Sequence, residues 1–117
     1  MSELLSPAGN LESFYLAIKN GADALYLGLD KYSARAYASN FTIDSLGDLV
    51  KYAHLRNVKI YVTINTIIYD HELPEVYKTI DELASIYVDG IIAQDLAVIN
   101  YITNTYRSIY AHASTQL

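Results

Sequence analysis

Cysteine and tryptophan are both absent from this 117-residue sequence. Without thiols the chain builds neither a disulfide nor a thiolate metal site. No apolar run approaches the roughly 18–20 residues that a membrane span needs. The opening Met1-Ser2-Glu3-Leu4-Leu5 lacks the basic segment and long apolar core of a signal peptide. Positive charge is in deficit: 8 Lys and Arg against 13 Asp and Glu give a net charge of -5. That balance speaks against a nucleic-acid surface on this stretch alone. A cytoplasmic location is the expectation, with no membrane partner.

Several catalytic signatures are missing too. No G-x-G-x-x-G follows the first strand, which weakens a dinucleotide-binding reading. His71-Glu72 is followed by Glu75, so there is no H-E-x-x-H zinc motif. No G-x-S-x-G elbow presents a serine nucleophile.

What is present is apolar and periodic. The hydrophobic fraction of 52% supports one modest core and excludes a disordered chain. Twelve Tyr against two Phe point to half-exposed helices, each ring packed and each hydroxyl free to find a partner. A motif recurs: Gly21-Ala22-Asp23-Ala24-Leu25-Tyr26-Leu27-Gly28, Val88-Asp89-Gly90-Ile91-Ile92-Ala93-Gln94 and, more loosely, Asn57-Val58-Lys59-Ile60-Tyr61-Val62-Thr63. Each ends a helix, runs an apolar strand and stops on Gly or a polar residue, the rhythm of β/α units around a parallel sheet.

In chain order, Glu3–Ser6 reads as a strand stopped by Pro7, and Asn10 caps a helix with Leu11, Phe14, Tyr15 and Ile18 on its inner face. Asp23–Leu27 is the second strand. A long connection then runs from Gly28 to Phe41, with one helical turn expected over Tyr32–Tyr37. Thr42 or Asp44 caps a helix buried through Leu46, Leu49, Val50 and Ala53. Val58–Ile64 is the third strand. Asp70 caps a helix with Leu73, Val76, Tyr77, Ile80, Leu83, Ala84 and Tyr87 inward and Pro74 in its first turn. Gly90–Ala93, a helix capped by Asp95, and a strand Ile109–Ala113 complete a β-α-β-α-β-α-β-α-β order. Five parallel strands fit either an open doubly wound sheet or the first half of a TIM-like (β/α)8 barrel. The missing glycine fingerprint favours the barrel. A whole barrel takes roughly 200–250 residues, so residues 1–117 read as a single, partial, amino-terminal barrel domain and a fragment.

Either architecture binds its ligand at the carboxyl ends of the strands. Arg35 stands in the long connection without the helix-end role that accounts for Arg56 and Arg107, and its fork suits a carboxylate or phosphate. His112 ends the fifth strand, as a structural histidine, a general base or a substrate ligand. Asn65 and Gln94 end strands three and four and offer hydrogen bonds to a ligand. Asp95 serves equally as a helix cap or a catalytic carboxylate. Ser33, Ser114 and Gln116 lie in the same rim segments. His54 and His71 read as surface residues. No residue set points to a metal.

Taken together, several ordered blocks resemble the collagenase-like peptidases (peptidase family U-32). They are Glu3–Glu12, Gly21–Gly28, Tyr32-Ser33-Ala34-Arg35-Ala36, Tyr61–Thr66, Gln94-Asp95-Leu96 and His112-Ala113-Ser114-Thr115-Gln116. The resemblance covers nearly the whole chain and implies a TIM-like barrel in a hydrolase. It also implies an alternative: some members are linked to oxygen-independent hydroxylation, of tRNA or rRNA bases (prephenate-dependent) or of a quinone precursor. Those members use an iron–sulfur cluster held by cysteines farther along, so the cofactor expected in this segment is none. Arg35 would then grip a carboxylate such as that of prephenate. Substrates would be small molecules, peptides or RNA, met by the longer parent. A third reading is a ligand-binding half-barrel that associates with itself.

Overall fold

The computed structural model describes residues 4–29, 41–64, 66 and 68–113. Among them five strands alternate with four α-helices: β1 (Leu5–Pro7), α1 (Leu11–Lys19), β2 (Ala24–Gly28), α2 (Ile43–His54), β3 (Lys59–Ile64), α3 (Leu73–Ser85), β4 (Gly90–Ala93), α4 (Leu96–Thr105) and β5 (Tyr110–Ala113). Every pairing is parallel and the spatial order is β1-β2-β3-β4-β5. Each helix therefore returns the chain to the adjacent position, and the order never reverses. The sheet has no switch point of the doubly wound kind. The α/β reading of the sequence holds; the helical turn expected over Tyr32–Tyr37 lies outside the described residues.

Side chains alternate between the two faces along each strand. Leu25, Leu27, Ile60, Val62, Ile64, Ile91 and Ala93 are all buried. They form one core with Phe14 of α1, Leu46 and Val50 of α2, Val76, Ile80 and Leu83 of α3, and Val98 and Ile102 of α4. Each large side chain so buried contributes roughly 1.5–3 kcal/mol, so this helix-covered face holds the fold. The alternate set behaves differently. Tyr26, Gly28, Tyr61, Thr63 and Ile92 are half-buried, and Leu5 is 45% exposed. Among the residues of β2, β3 and β4, Ala24 and Gly90, both small, are the ones shut away on that side.

Three helix-to-strand turns are built alike. Gly21, Asn57 and Tyr87 take φ values of 89°, 60° and 67°. The buried residue after each, Ala22, Val58 or Val88, donates its N–H back to the carbonyl of Ala17, Ala53 or Leu83 at 3.0, 2.9 and 3.4 Å. This six-to-one closure satisfies carbonyls that the helix end leaves open. The recurring motif in the sequence is thus a helix stop followed by a buried anchor and a strand.

The structure corrects several local readings. Pro7 is the last residue of β1 rather than the first one beyond it, because β1 has no partner on its outer side among the described residues and an edge tolerates a missing donor. In α1 only Phe14 is fully buried; Leu11 and Tyr15 are 49% and 40% exposed at the edge of the sheet, Tyr15 meeting the Tyr52 ring of α2 edge-on at 5.0 Å. Asp70 opens a short 3-10 turn, Asp70–Glu72, instead of capping α3. The Glu72 carboxylate accepts the Tyr69 N–H at 2.9 Å in its place. Tyr87 sits past the end of α3 and is 75% exposed, not part of its inner face.

Candidate functional site

All four β-to-α connections emerge on one rim, where strands end and helices begin. Local chemistry fixes these helix starts. Asn10 Oδ1 accepts the Ser13 N–H at 2.8 Å. Thr42 and Ser45 form a reciprocal capping box, which decides between Thr42 and Asp44. Asp95 Oδ1 accepts from Ala97 N and Val98 N at 2.8 and 3.2 Å. The dipoles of α1, α2 and α4 point their positive ends at the rim, but these side chains already take the foremost N–H groups.

The long connection is anchored at both ends. Leu29 and Phe41 pair through a parallel bridge, and both are buried, at 1% and 2% exposure. The sequence between them carries Ser33 and Arg35, which lie outside the described residues together with Asn65, Ser114 and Gln116. Gln94 follows β4 at the rim and is exposed. Asp95 is half-buried, with one oxygen engaged by its own helix. Residue His112 pairs in register with Ile92 on β4, one row below the strand ends. The backbone therefore brings Gln94, Asp95 and His112 to one end of adjacent strands.

Strand register arranges the half-buried face into rows. Pro7, Tyr26, Tyr61, Gly90 and Tyr110 lie side by side across the sheet. One step closer to the rim come Gly28, Thr63, Ile92 and His112. The Thr63 hydroxyl donates to the Leu27 carbonyl at 3.3 Å, which ties it to β2.

The opposite end of the sheet holds a different set of polar contacts. His54 Nε2 lies 2.8 Å from Asp89 Oδ2, which also accepts the Ile60 N–H at 2.7 Å. An open groove of about 650 Å³ runs there between the ends of α1 and α2, past Tyr15, Lys19, Tyr52 and Arg56. Arg56 stacks 3.6 Å from the centre of the Tyr52 ring and donates to the Tyr52 carbonyl, so its cation is already engaged. On the outer helices, Tyr101 and Tyr106 both donate to Asp81 Oδ1, and Tyr77 stacks on Tyr101 at 4.2 Å. Bonding to the Asp81 carboxylate raises both phenols, Tyr106 to about 12. The sequence reading missed these last two clusters. Asp89 was visible in the repeated motif, but its partners come from other elements.

Among the described residues no group of three or more His, Asp or Glu side chains is placed to hold a metal ion. No described helix is long and apolar enough to cross a membrane.

A sequential parallel sheet, helices on one face and a polar rim at the strand ends define an α/β protein of consecutive β/α units. The model of Peptidase family U32 matches residues 9–117, and the chain belongs to that family. A protein named uncharacterized protease MJ0090, from Methanocaldococcus jannaschii, is 40% identical over 99% of this chain and 28% of its own length. The 23S rRNA 5-hydroxycytidine C2501 synthase of Escherichia coli is 40% identical over 97% of this chain and 17% of its own. The solved U32 peptidase Mk0906 shares the fold at a TM-score of 0.75 with 14% identity, over 97% of this chain and 49% of that one. The chain thus spans under a third of the length of these curated relatives.

Proposed function

We propose that this chain forms the amino-terminal part of the catalytic barrel of a U32-family enzyme, a hydrolase by family name, with substrate bound at the carboxyl rim of the strands. The observation that supports it is the unreversed strand order with helices on one face only, the arrangement that curls toward a barrel. On this reading Arg35, Ser33, Gln94, Ser114 and Gln116 contact substrate, and His112, Asn65 and Asp95 stand nearest the chemistry. Asp95 enters with one oxygen held by α4, so it orients rather than moves as a loose base. His112, at the end of a strand, is the residue suited to holding or moving a proton.

A second reading, hydroxylation of an RNA base, is supported by the name of the E. coli relative. An iron–sulfur cluster does not fit the residues present, since the chain has no cysteine, and any thiolates would come from outside these 117 residues. One experiment separates the readings. The longest natural protein carrying this sequence is assayed for casein and collagen cleavage, and its host's rRNA and tRNA nucleosides are compared by mass spectrometry with and without the gene. Cleavage lost in His112→Asn with unchanged melting supports the hydrolase; a missing hydroxylated base supports the second reading. Neither effect would remove both.

A further inference from the structure

We infer that the groove between the ends of α1 and α2 is a ligand site and that it takes a small organic phosphate monoester with an apolar body. It lies at the amino ends of the strands, so it depends on neither reading of the rim. The groove is about 650 Å³, within the roughly 300–1,000 Å³ that small ligands occupy. It is open above Gly21, where a Cβ meets nothing within 4 Å.

Hydrogen-bond donors dominate the polar lining. Lys19 ends α1 and Arg56 stands just past α2, both exposed. Among the described residues Lys19 has no ion pair, and the Asn57 side-chain amide has no hydrogen-bond partner. Stacking on the Tyr52 ring fixes the Arg56 guanidinium without exhausting it, because only Nη1 is used, on the Tyr52 carbonyl. Asp23 is the one carboxylate lining the groove among the described residues, and its Oδ2 already accepts the Leu4 N–H at 2.8 Å.

Helix carboxyl ends repel an anion through their open carbonyls. Here the Ala17, Ile18, Ala53 and His54 carbonyls accept the N–H groups of Ala22, Gly21, Val58 and Asn57 at 2.9–3.1 Å, which blunts that repulsion. Two cations against one tied acid favour a dianion, and a phosphate monoester carries roughly -1.5 to -2 charge near neutral pH. A phosphate alone would leave most of the volume empty. The rest is walled by half-buried Ile18 and by Tyr15, 40% exposed and edge-on to Tyr52 at 5.0 Å. An apolar or aromatic body fills that part.

Methyl NMR with three probes tests this. The longest natural protein carrying the sequence is labelled at Ile and Val methyl groups and titrated with phenyl phosphate, benzyl alcohol and inorganic phosphate. Phenyl phosphate is expected to shift the Ile18 and Val58 signals, which line the groove, and to leave Ile92 near the rim unmoved. Benzyl alcohol lacks the charge and inorganic phosphate lacks the body, so each is expected to bind about tenfold more weakly or worse. Lys19→Gln should weaken phenyl phosphate about tenfold with unchanged melting, since that side chain is exposed. Arg56→Lys keeps the charge but loses the planar fork, and should weaken it too. Shifts confined to Ile68 and Ile92, no shift at all, equal binding of benzyl alcohol, or full binding by Lys19→Gln would each overturn the inference. So would inorganic phosphate binding as tightly as phenyl phosphate, because the body would then contribute nothing.

Discussion

Asp23 and Asp89 occupy the same place in successive pairs of β/α units and make the same two bonds. Asp89 donates its N–H to the Ile60 carbonyl at 2.9 Å and accepts the Ile60 N–H on Oδ2 at 2.7 Å. Asp23 does the same with Leu4, at 2.9 and 2.8 Å. Each aspartate stands just before an even-numbered strand and closes the first rung with the strand before it. His54 adds a third partner only at Asp89. Asp89→Ala is therefore expected to cost about 1–3 kcal/mol, the penalty for leaving a donor at a part-buried site unpaired. Asp23→Ala should cost less, because Leu4 is 53% exposed and water replaces the carboxylate. Urea denaturation of the two variants checks the order; equal losses would mean that the shared geometry carries no shared energetics.

Backbone sign is the basis of the next expectation. Gly21 and Tyr87 hold equivalent positive-φ positions, but only glycine does so without steric cost. A Cβ at Gly21 meets nothing within 4 Å, so Gly21→Ala should lose about 1 kcal/mol from the backbone alone. Tyr87→Gly should gain about 1 kcal/mol, since the ring is 75% exposed and little packing is lost. Opposite shifts in melting temperature are the expected result.

Alkaline pH should weaken the α3–α4 contact. The Tyr106 phenol is raised from 10 to about 12 by its bond to Asp81, so the folded state holds a proton that the unfolded state releases. The contribution is present below pH 10 and is lost as pH rises through about 12. A Tyr101→Phe, Tyr106→Phe double variant should show a flatter denaturation midpoint across that window. An unchanged slope would show that Asp81 does not hold these phenols in solution.

The isolated 117-residue chain should associate with itself. β1 leaves an unpaired edge among the described residues, and Leu4, Leu5, Leu11 and Leu16 around it are each 45–53% exposed. Unpaired edges beside exposed apolar side chains invite pairing. Light scattering should report a dimer or larger species, and Leu5→Lys should shift it toward monomer. A wild-type monomer would mean that the edge is shielded.

Much of this fold was legible in the sequence because local signals agreed. Asn10, Thr42 and Asp95 cap as their residue types dictate, and the inner face of α2 is Leu46, Leu49, Val50 and Ala53 as its period requires. Misreadings arose where a neighbour decides the outcome. Leu11 and Tyr15 carry a correct helical period, yet they stay 49% and 40% exposed at the edge of the sheet, where Tyr15 meets the Tyr52 ring of α2. Asp70 has the right chemistry for a cap, but Glu72 reaches the Tyr69 N–H first. The His54–Asp89 and Asp81–Tyr101–Tyr106 clusters join residues far apart in the chain, which no local pattern encodes. Within the site, Gln94 and Asp95 were readable as strand-end residues, whereas the half-buried row of Gly28, Thr63 and Ile92 emerges only from register.

The central claim is that Arg35 and His112 share the carboxyl end of one sheet. The absence of cysteine makes a direct measurement simple. Spin labels are placed at Arg35→Cys with His112→Cys and, as a control, at Arg35→Cys with Arg56→Cys, in chains diluted with unlabelled protein. Neighbouring strands lie about 4.8 Å apart, so β2 and β5 are on the order of 15 Å apart at one rim. The position-56 label stands at the other end of the sheet. The account predicts a shorter mean distance for the 35–112 pair than for the 35–56 pair. A longer 35–112 distance would place the two residues at opposite ends and contradict the shared site.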